Sequence, residues 1–295
     1  MAQPQHTPPL ASLEEALTVL FCLIDDAYSL LNPHANRYES LKRLSDSEVL
    51  TLALFQQLRG TESERSFLRD LQRFFVHLFP GVTGMHPSSL HRRVRILRGY
   101  LEPLRRTVLT DLLGDPQTLI VDSTLLEVLH PRQVAQSEGF EGAAWVRWDS
   151  FSVYGVKLHM MCATNRIPVS YELTLASVAD VLLVEELLEE SRLGSETVRR
   201  LFGDLAYRSE PLKKVLARRG VVLATDRAHR RPATRQQVEI CFAVLKRVFG
   251  MDATLTKTLT GLATRIAAKI AAYTYGFYVN RLLGRPQGRI KELWA

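Results

Sequence analysis

Residues 118–126 read Thr-Leu-Ile-Val-Asp-Ser-Thr-Leu-Leu, an apolar run with one carboxylate, Asp122, at its centre. Aliphatic and β-branched residues at this density predict a β-strand over residues 119–128, with Asp122 on the same face as Ile120 and Thr124. Burying a charge in such a strand costs free energy unless a partner offsets it. Taken alone, Asp122 is equally well explained as a functional carboxylate or as a group at a strand end or surface.

Two further acidic residues lie in comparable settings. Asp204 follows Arg-Arg-Leu-Phe-Gly at the end of a predicted strand over residues 198–203, and Glu239 lies in a predicted helix that starts after residue 234. Clustered acids in proteins commonly bind divalent metal ions. Two strand-borne aspartates and a helix-borne glutamate could therefore form a two-metal site for phosphoryl transfer.

The order of predicted elements after residue 116 indicates one fold class. Three strands come first, and a helix, a strand, a helix, a strand and a helix follow. The predicted bounds before the last helix are 119–128, 150–163, 167–175, 181–190, 198–203, 210–219 and 221–225. This order is that of an α/β, ribonuclease H-like mixed sheet flanked by helices, in which the ends of the first and fourth strands are neighbours.

The first 115 residues predict an all-helical N-terminal region. Predicted helices span residues 13–31 and 64–78, and Ser45 and Glu48 have the spacing of a capping box that starts another. An arginine-rich segment follows residue 87 and includes Arg92 and Arg93. The pattern suggests a DNA-binding, helix-turn-helix-like element. An ordinary helical bundle with a basic exposed face explains it equally well.

Five segments of the chain, in this order, resemble the DDE transposases of bacterial insertion sequences, most closely insertion-sequence family 982. Four of them are Val-Asp-Ser-Thr-Leu-Leu-Glu-Val-Leu-His-Pro-Arg at 121–132, Tyr-Gly-Val-Lys-Leu-His at 154–159 with Ala-Ser-Val-Ala-Asp-Val at 176–181, Gly-Asp-Leu-Ala-Tyr-Arg-Ser at 203–209, and Arg235, Glu239 and Lys246. The fifth comprises Lys257, Gly261, Arg265, Lys269 and residues 280–284. Pro232 stands where the related signature has a tyrosine, so contacts of that tyrosine are not carried over.

The resemblance implies a ribonuclease H-like catalytic domain over residues 116–295 whose metal-binding and catalytic residues are Asp122, Asp204 and Glu239. It implies two Mg²⁺ or Mn²⁺ ions, double-stranded DNA partners (the terminal inverted repeats of the element and its target DNA), and a homo-oligomer on DNA. The expected activity is DNA cleavage followed by transfer of a 3′-hydroxyl end. Two alternatives are a hydrolytic nuclease of the same fold and a catalytically idle, transposase-derived DNA-binding protein.

The positive charge of the chain lies mainly near its end. The net charge is +7, and residues 229–295 alone hold 12 Lys and Arg against 3 Asp and Glu, which gives +9. Such a tract predicts phosphate contacts by Arg235, Lys246, Arg265 and Lys269. The alternatives are a solvated basic face for the tract and a surface ion-pair ladder around Glu239.

The remaining sequence features bear on location and on secondary residues. The apolar runs are too short, or too interrupted by charge, to span a bilayer, and the 3 cysteines lack metal-ligand spacing. We therefore expect a cytoplasmic protein without membrane contact, associated with the nucleoid when bound to DNA. Asp180 and Asp226 are either partners of the acidic site or caps of turns, and His159 is a packed strand residue or a group near the metal or DNA.

Overall fold

The computed structural model describes residues 13–33, 41–113, 116–134, 139–148, 151–193, 197–225, 232–253 and 255–294. The chain divides into two compact units. The helical unit takes in Met1–Leu112, Val248–Gly250 and Thr260–Ala295, and the sheet unit takes in Leu113–Arg247 and Met251–Leu259.

The elements of the described residues are numbered in chain order. The helices are α1 (Leu13–Leu31), α2 (Asp46–Leu58), α3 (Glu64–Phe74), α4 (Pro87–Ile96), α5 (Leu101–Leu113), α6 (Pro131–Val134), α7 (Val184–Glu190), α8 (Glu210–Arg218), α9 (Pro232–Arg247), α10 (Leu259–Leu282) and α11 (Lys291–Trp294). The strands are β1 (Thr118–Glu127), β2 (Ala144–Trp148), β3 (Phe151–Ala163), β4 (Pro168–Leu175), β5 (Arg200–Phe202) and β6 (Val222–Ala224).

The first helices of the helical unit follow directly from local sequence. Helix α1 has the predicted bounds and buries Leu17, Leu20 and Ile24, which recur at helical spacing on one face. Helix α2 begins with the predicted capping box. Ser45 Oγ accepts a hydrogen bond from Glu48 N at 3.0 Å, and Glu48 Oε2 accepts one from Ser45 N at 2.5 Å.

The connection between α3 and α4 differs from that of a helix-turn-helix. Residues 75–86 join the two helices and include the 3₁₀ turn Pro80–Val82. A helix-turn-helix joins its helices by about three or four residues. The predicted all-helical region is present, but this pair of helices lacks helix-turn-helix spacing.

Helix α10 belongs to the helical unit, although the sequence analysis assigned all of residues 116–295 to one catalytic domain. The helix is buried around most of its circumference, and Tyr275 Oη donates to Leu104 O of α5 at 3.3 Å. A helix buried on all sides has no amphipathic pattern that would identify its neighbours. The domain boundary that we expected therefore does not describe how the end of the chain packs.

The sheet has β1 at its centre. Strand β3 pairs antiparallel with β1, and β5 pairs parallel with it on the other side, followed by β6 in parallel. Strand β4 pairs antiparallel with β3. The order β4-β3-β1-β5-β6, with three antiparallel strands and two parallel additions, confirms the predicted ribonuclease H-like mixed sheet.

Strand β2 is an addition that the sequence analysis did not predict. It pairs antiparallel with the first part of β3, from Ala144 opposite Gly155 to Trp148 opposite Phe151. Gly155 has a steric role where β3 also meets β1, because a Cβ there would lie 2.1 Å from Leu126 O. The sheet can thus continue past the end of the pairing with β4.

Both faces of the sheet are covered by helices. Leu119 and Val121 of β1 belong to a buried cluster with Leu187 of α7 and Leu216 of α8. On the opposite face, α9 buries its apolar side against β1 and β3. Among the described residues, no helix has both the length and the apolar character needed to cross a membrane.

Candidate active site

Asp122 lies on the α9 face of β1, in the middle of the strand. It pairs in register with Met160 of β3, and Met160 Sδ lies 4.0 Å from Cys241 Sγ of α9. Directly opposed residues of antiparallel strands share a face, so Asp122 points toward α9. Its Oδ1 accepts a hydrogen bond from the backbone N–H of Ser123 at 2.9 Å.

Asp204 lies just beyond the end of β5, the parallel neighbour of β1. It is the N-cap of the 3₁₀ turn Leu205–Tyr207, where its Oδ1 accepts a hydrogen bond from Ala206 N at 2.8 Å. The cap fixes the direction of this carboxylate because one oxygen is held by the backbone. The parallel register of β5 with β1, in which Phe202 lies opposite Ile120, therefore brings Asp204 beside Asp122.

Glu239 comes from α9, the helix that covers this face. Its Oε1 lies 3.3 Å from Arg235 Nε one turn earlier, and its side chain remains 55% exposed. Helix α9 is anchored by buried residues at helical spacing, Val238, Cys241 and Leu245. The helix thus presents Glu239 and Arg235 next to the strand-borne acids while its apolar side packs on the sheet.

The electrostatic interaction among these acids appears in the pKa of Asp122. Burial raises this pKa from 3.8 to about 6. The Ser123 N–H and the Arg235 charge act in the opposite direction, and the charges of Asp204 and Glu239 raise the pKa further. The charges of Asp204 and Glu239 therefore act on Asp122, and the charge of Arg235 offsets part of their effect.

A divalent cation fits the chemistry of this cluster. Hard cations prefer carboxylate oxygens, and a cluster with more negative than positive charge is relieved by one. In the described part of the chain, however, no three Asp, Glu, His or Cys side chains lie close enough together to hold a metal ion. The acids are near neighbours, but they are not arranged as a closed ligand shell.

Lys246, near the end of α9, has local partners. Its Nζ donates to Leu125 O of β1 at 3.1 Å and lies 3.2 Å from Asp252 Oδ1. Glu239 has Arg235 as its ion-pair partner instead. Lys246 therefore joins α9 to the end of β1, which the helical stripe in the sequence did not reveal.

The other face of the sheet carries a polar cluster around Asp180, which the sequence had left open as a partner of the site or a turn cap. Asp180 Oδ1 accepts from Ser123 Oγ at 2.8 Å and from Lys157 Nζ at 3.1 Å. Tyr207 lies nearby with its side chain buried. Burial raises the pKa of its hydroxyl most, and the charges of Asp180, Asp122 and Asp204 raise it further. Asp180 is thus bonded to the middle of β1, and the 3₁₀ turn that it begins packs against the turn that follows β5.

His159 is a packed residue of β3. It is fully buried, its Nε2 lies 2.9 Å from Thr174 Oγ1, and burial lowers its pKa to about 4 although Asp180 opposes this. The ring is therefore neutral at pH 7. Asp226, the remaining acid that the sequence left open, lies outside the described residues.

The candidate DNA contacts of the N-terminal region lie on α4. Arg92 is exposed, whereas Arg93 donates to Leu44 O at 2.5 Å and forms an ion pair with the buried Asp46. Both arginines border a groove of about 790 Å³. Its other lining residues are Tyr28, Asn32, Lys42, Asp46, Ile96, Leu97 and Tyr100. Arg92 is free to meet an anion from solvent, while Arg93 also has a structural role.

Arg265 and Lys269, which we expected to contact DNA, are buried in the helical unit. Arg265 is 7% exposed and pairs with Glu64 at 3.1 Å. Lys269 is 0% exposed, pairs with Glu62 at 2.5 Å and also donates to Phe249 O. Their burial argues against direct phosphate contact, because each charge already has a carboxylate partner inside the fold. A buried helix such as α10 can contain cations when carboxylates of other segments pair with them. Because these carboxylates are remote in sequence, the pairing is not visible in the local sequence pattern.

The fold and the site together define the chain as a ribonuclease H-like α/β protein with an acidic cluster formed on its central strand, beyond the end of the neighbouring strand and on the helix that covers them. A family model described as the transposase DDE domain matches residues 113–275, more than half of the chain. The chain therefore belongs to the transposase DDE family.

Two solved structures are similar to the chain at low sequence identity. The Mos1 mariner paired-end complex with Mn is 9% identical with a TM-score of 0.29, over 90% of this chain and 97% of that one. A pre-cleavage Mos1 transpososome is 10% identical with a TM-score of 0.26, over 92% and 98% of the two chains. No curated protein matches the sequence. The overlays are loose, and the fold assignment rests on the strand order.

Proposed function

We propose that this protein is the transposase of a bacterial insertion sequence of the family 982 type. It would bind the terminal inverted repeats of its element, cut the DNA there and join the freed 3′-hydroxyl ends to target DNA. The observation that carries the proposal is the placement of Asp204 and Glu239 around the buried Asp122, in a chain of the transposase DDE family. Divalent cations that bind between clustered carboxylates neutralise their charge and can hold a phosphodiester there.

The acids would hold two Mg²⁺ or Mn²⁺ ions. Asp122 would supply oxygens from the middle of β1, Asp204 from just beyond the end of β5, and Glu239 from the facing helix. When bound, such cations stabilise the negative charge that develops on the transferred phosphoryl group. Asp204 is oriented by its cap, and Asp122 by the Ser123 N–H.

Two successive displacements at phosphorus account for the proposed reaction. In the first, water forms a bond to the phosphorus at the element end, and the 3′ oxygen of the element leaves as a hydroxyl. In the second, that hydroxyl attacks a target phosphodiester and the target's own 3′ oxygen leaves with the proton. Arg235, next to Glu239, would meet the phosphate oxygens and hold the cut end between the two steps.

DNA would also be held outside the acidic site. Arg92, exposed on α4, and Arg93, which borders the same groove, are the proposed contacts of the helical unit. Lys246 would contribute near the acidic site in addition to its bonds to Leu125 and Asp252. We also propose a homo-oligomer on paired DNA ends, and a cytoplasmic location with the protein on the nucleoid when bound.

Joining of precleaved ends tests the proposal. Element ends that already carry a free 3′-hydroxyl are incubated with the protein, Mn²⁺ and supercoiled plasmid, and covalent joining to the plasmid is scored on a gel. Wild-type protein should join the ends and the Asp204→Ala variant should not. Nicking without joining, under all metal and salt conditions, would assign the chain to the hydrolytic nucleases. DNA binding with neither reaction would assign it to catalytically idle DNA-binding proteins.

A further inference from the structure

The Asp180 cluster lies behind the acidic site, on the opposite face of the sheet. Ser123 is directly opposed to His159, and Leu125 to Lys157, in the pairing of β1 with β3. Successive residues of a strand point to opposite faces, so Ser123 and Lys157 face away from the side on which Asp122 lies. Asp180 approaches this rear face from the turn that follows β4.

Asp180 is held there by more than one donor. Its Oδ1 accepts from Lys157 Nζ at 3.1 Å, and the same ammonium donates to Val178 O at 2.8 Å. Lys157 thereby ties the turn before Asp180 to β3. Side chains of the pair are only 12% exposed for Lys157 and 19% exposed for Asp180. A poorly solvated ion pair contributes little net stability compared with apolar residues of similar size. Stability alone therefore does not explain why this position holds a charged pair.

The cluster reaches the acidic site by a short path through β1. Asp180 fixes the Ser123 hydroxyl at 2.8 Å, and the N–H of the same serine donates to Asp122 Oδ1 at 2.9 Å. Ser123 therefore donates one hydrogen bond to Asp180 on the rear face and another to Asp122 on the front face. A displacement of Ser123 would change the direction of Asp122.

Tyr207 provides the connection to the second strand. It ends the 3₁₀ turn that Asp204 caps, and this turn packs against the 3₁₀ turn Asp180–Leu183. Asp180 therefore lies where the backbone next to Asp122 and the turn next to Asp204 meet. The acids themselves come from elements that have no covalent connection near the site.

We propose that Asp180 is a positioning residue, which sets the relative placement of Asp122 and Asp204 through Ser123 so that the two can share a divalent cation. The inference rests on the proposed function, since it presumes that these acids bind metal. Groups that orient metal ligands without touching the metal typically change metal affinity or activity by about 10- to 100-fold when they are lost.

Manganese binding by the full chain tests the proposal without relying on catalysis. Mn²⁺ alone is titrated to millimolar concentration into wild-type protein, and free Mn²⁺ is followed by electron paramagnetic resonance. Ser123→Ala removes the hydroxyl that Asp180 holds but leaves the Asp180–Lys157 pair intact. We expect its Mn²⁺ affinity to fall by about tenfold or more. Ser123→Thr restores a hydroxyl at the same position and should return the affinity to within about twofold of wild type.

A matched control separates positioning from general destabilisation. Thr174→Val also removes a hydroxyl from the rear face of the sheet, but Thr174 contacts His159 and Leu175 rather than Asp180. It should leave Mn²⁺ affinity unchanged even where it lowers the melting temperature. Asp180→Asn, which keeps the shape and weakens the Lys157 pairing, supplies a second variant should Ser123→Ala fail to fold, and its Mn²⁺ affinity should fall in the same way.

The outcomes distinguish failure of the positioning role of Asp180 from failure of the proposed metal site. If folded Ser123→Ala and Asp180→Asn bind Mn²⁺ as tightly as wild type, the positioning role is refuted while the metal site stands. An equal loss of affinity in Thr174→Val would also refute it, because the effect would then follow from destabilised packing. If wild-type protein binds no more Mn²⁺ than Asp122→Ala does, the metal site of the proposed function fails and the inference fails with it.

Discussion

Replacing Asp122 with asparagine should stabilise the protein at neutral pH, although the residue belongs to the candidate active site. Burial and the charges of Asp204 and Glu239 raise its pKa from 3.8 to about 6, against the effects of Ser123 and Arg235. The folded chain therefore binds a proton at this site more tightly than the unfolded chain does. Above pH 6, the ionised carboxylate is a cost to the folded state, and asparagine does not carry that cost.

The size and sign of the effect follow from linkage. The proton affinity of Asp122 differs by about two powers of ten between the folded and the unfolded chain. At about 1.4 kcal/mol per tenfold change, this difference alters the free energy of unfolding by at most about 3 kcal/mol. Because the pKa is raised on folding, the contribution of Asp122 to stability is fully present below pH 3.8 and is lost as the pH rises to about 6. Relative to wild type, Asp122→Asn should thus gain up to about 3 kcal/mol in free energy of unfolding between pH 4 and pH 7.

Urea unfolding of both proteins at several pH values from 4 to 8 measures this difference. A control is Asp70→Asn, at an exposed position on α3, which should follow the wild-type curve. Millimolar Mn²⁺ should raise the free energy of unfolding of wild type at pH 7 and so reduce its difference from Asp122→Asn. The reason is that a bound cation neutralises the charge of the ionised Asp122 carboxylate. Parallel curves for wild type and Asp122→Asn across this pH range would refute a raised pKa at Asp122.

Four further outcomes are expected. Glu239→Gln and Asp204→Ala should each abolish DNA cleavage in a gel assay, while their affinity for labelled DNA in a retardation assay stays within about twofold of wild type. Cleavage by Asp204→Ala would show that Asp204 is not an active-site residue. Lys246→Ala should lower the free energy of unfolding by about 1 kcal/mol, because the carbonyl of β1 loses its donor, and an unchanged urea midpoint would contradict that role. Lys269→Met should cost about 3–5 kcal/mol, since it leaves a carboxylate uncompensated inside the helical unit, and a loss below about 1 kcal/mol would argue that this pair is solvated. Arg92→Ala should reduce the slope of log affinity for DNA against log salt by about one, and an unchanged slope would place α4 outside the DNA interface.

Local sequence patterns were sufficient for much of the sheet. The apolar run around Asp122 predicts β1 to within one residue at each end, and the order of the elements predicts that β5 is a neighbour of β1. The capping box at Ser45 was equally readable, because its donors and acceptors lie within four residues of one another. Signals of this kind depend on neighbours in sequence, and a single chain displays them directly.

Contacts between distant residues could not be read in this way. The bond from Ser123 to Asp180 joins residues 57 positions apart, and Lys246 meets a carbonyl 121 positions away. Lys269 looked like a DNA contact because it is a cation in a basic tract, yet Glu62 neutralises it from 207 positions away. Charge counts along a sequence give no information about which cations are already paired inside the fold.

The interleaved path of the chain through the helical unit constrains the order in which the protein can be completed on the ribosome. Arg59 Nη1 donates to Trp294 O at 2.7 Å, and the Trp294 ring lies 5.9 Å from that of Phe55 in an edge-on contact. These partners are 235 positions apart, so the contacts of α2 with α11 form only after residue 294 has emerged. The sheet unit, which ends at Leu259, can close first. Nascent chains should therefore complete the sheet unit before the helical unit, and fragments that stop near residue 115 should lack the packing that α10 and α11 supply.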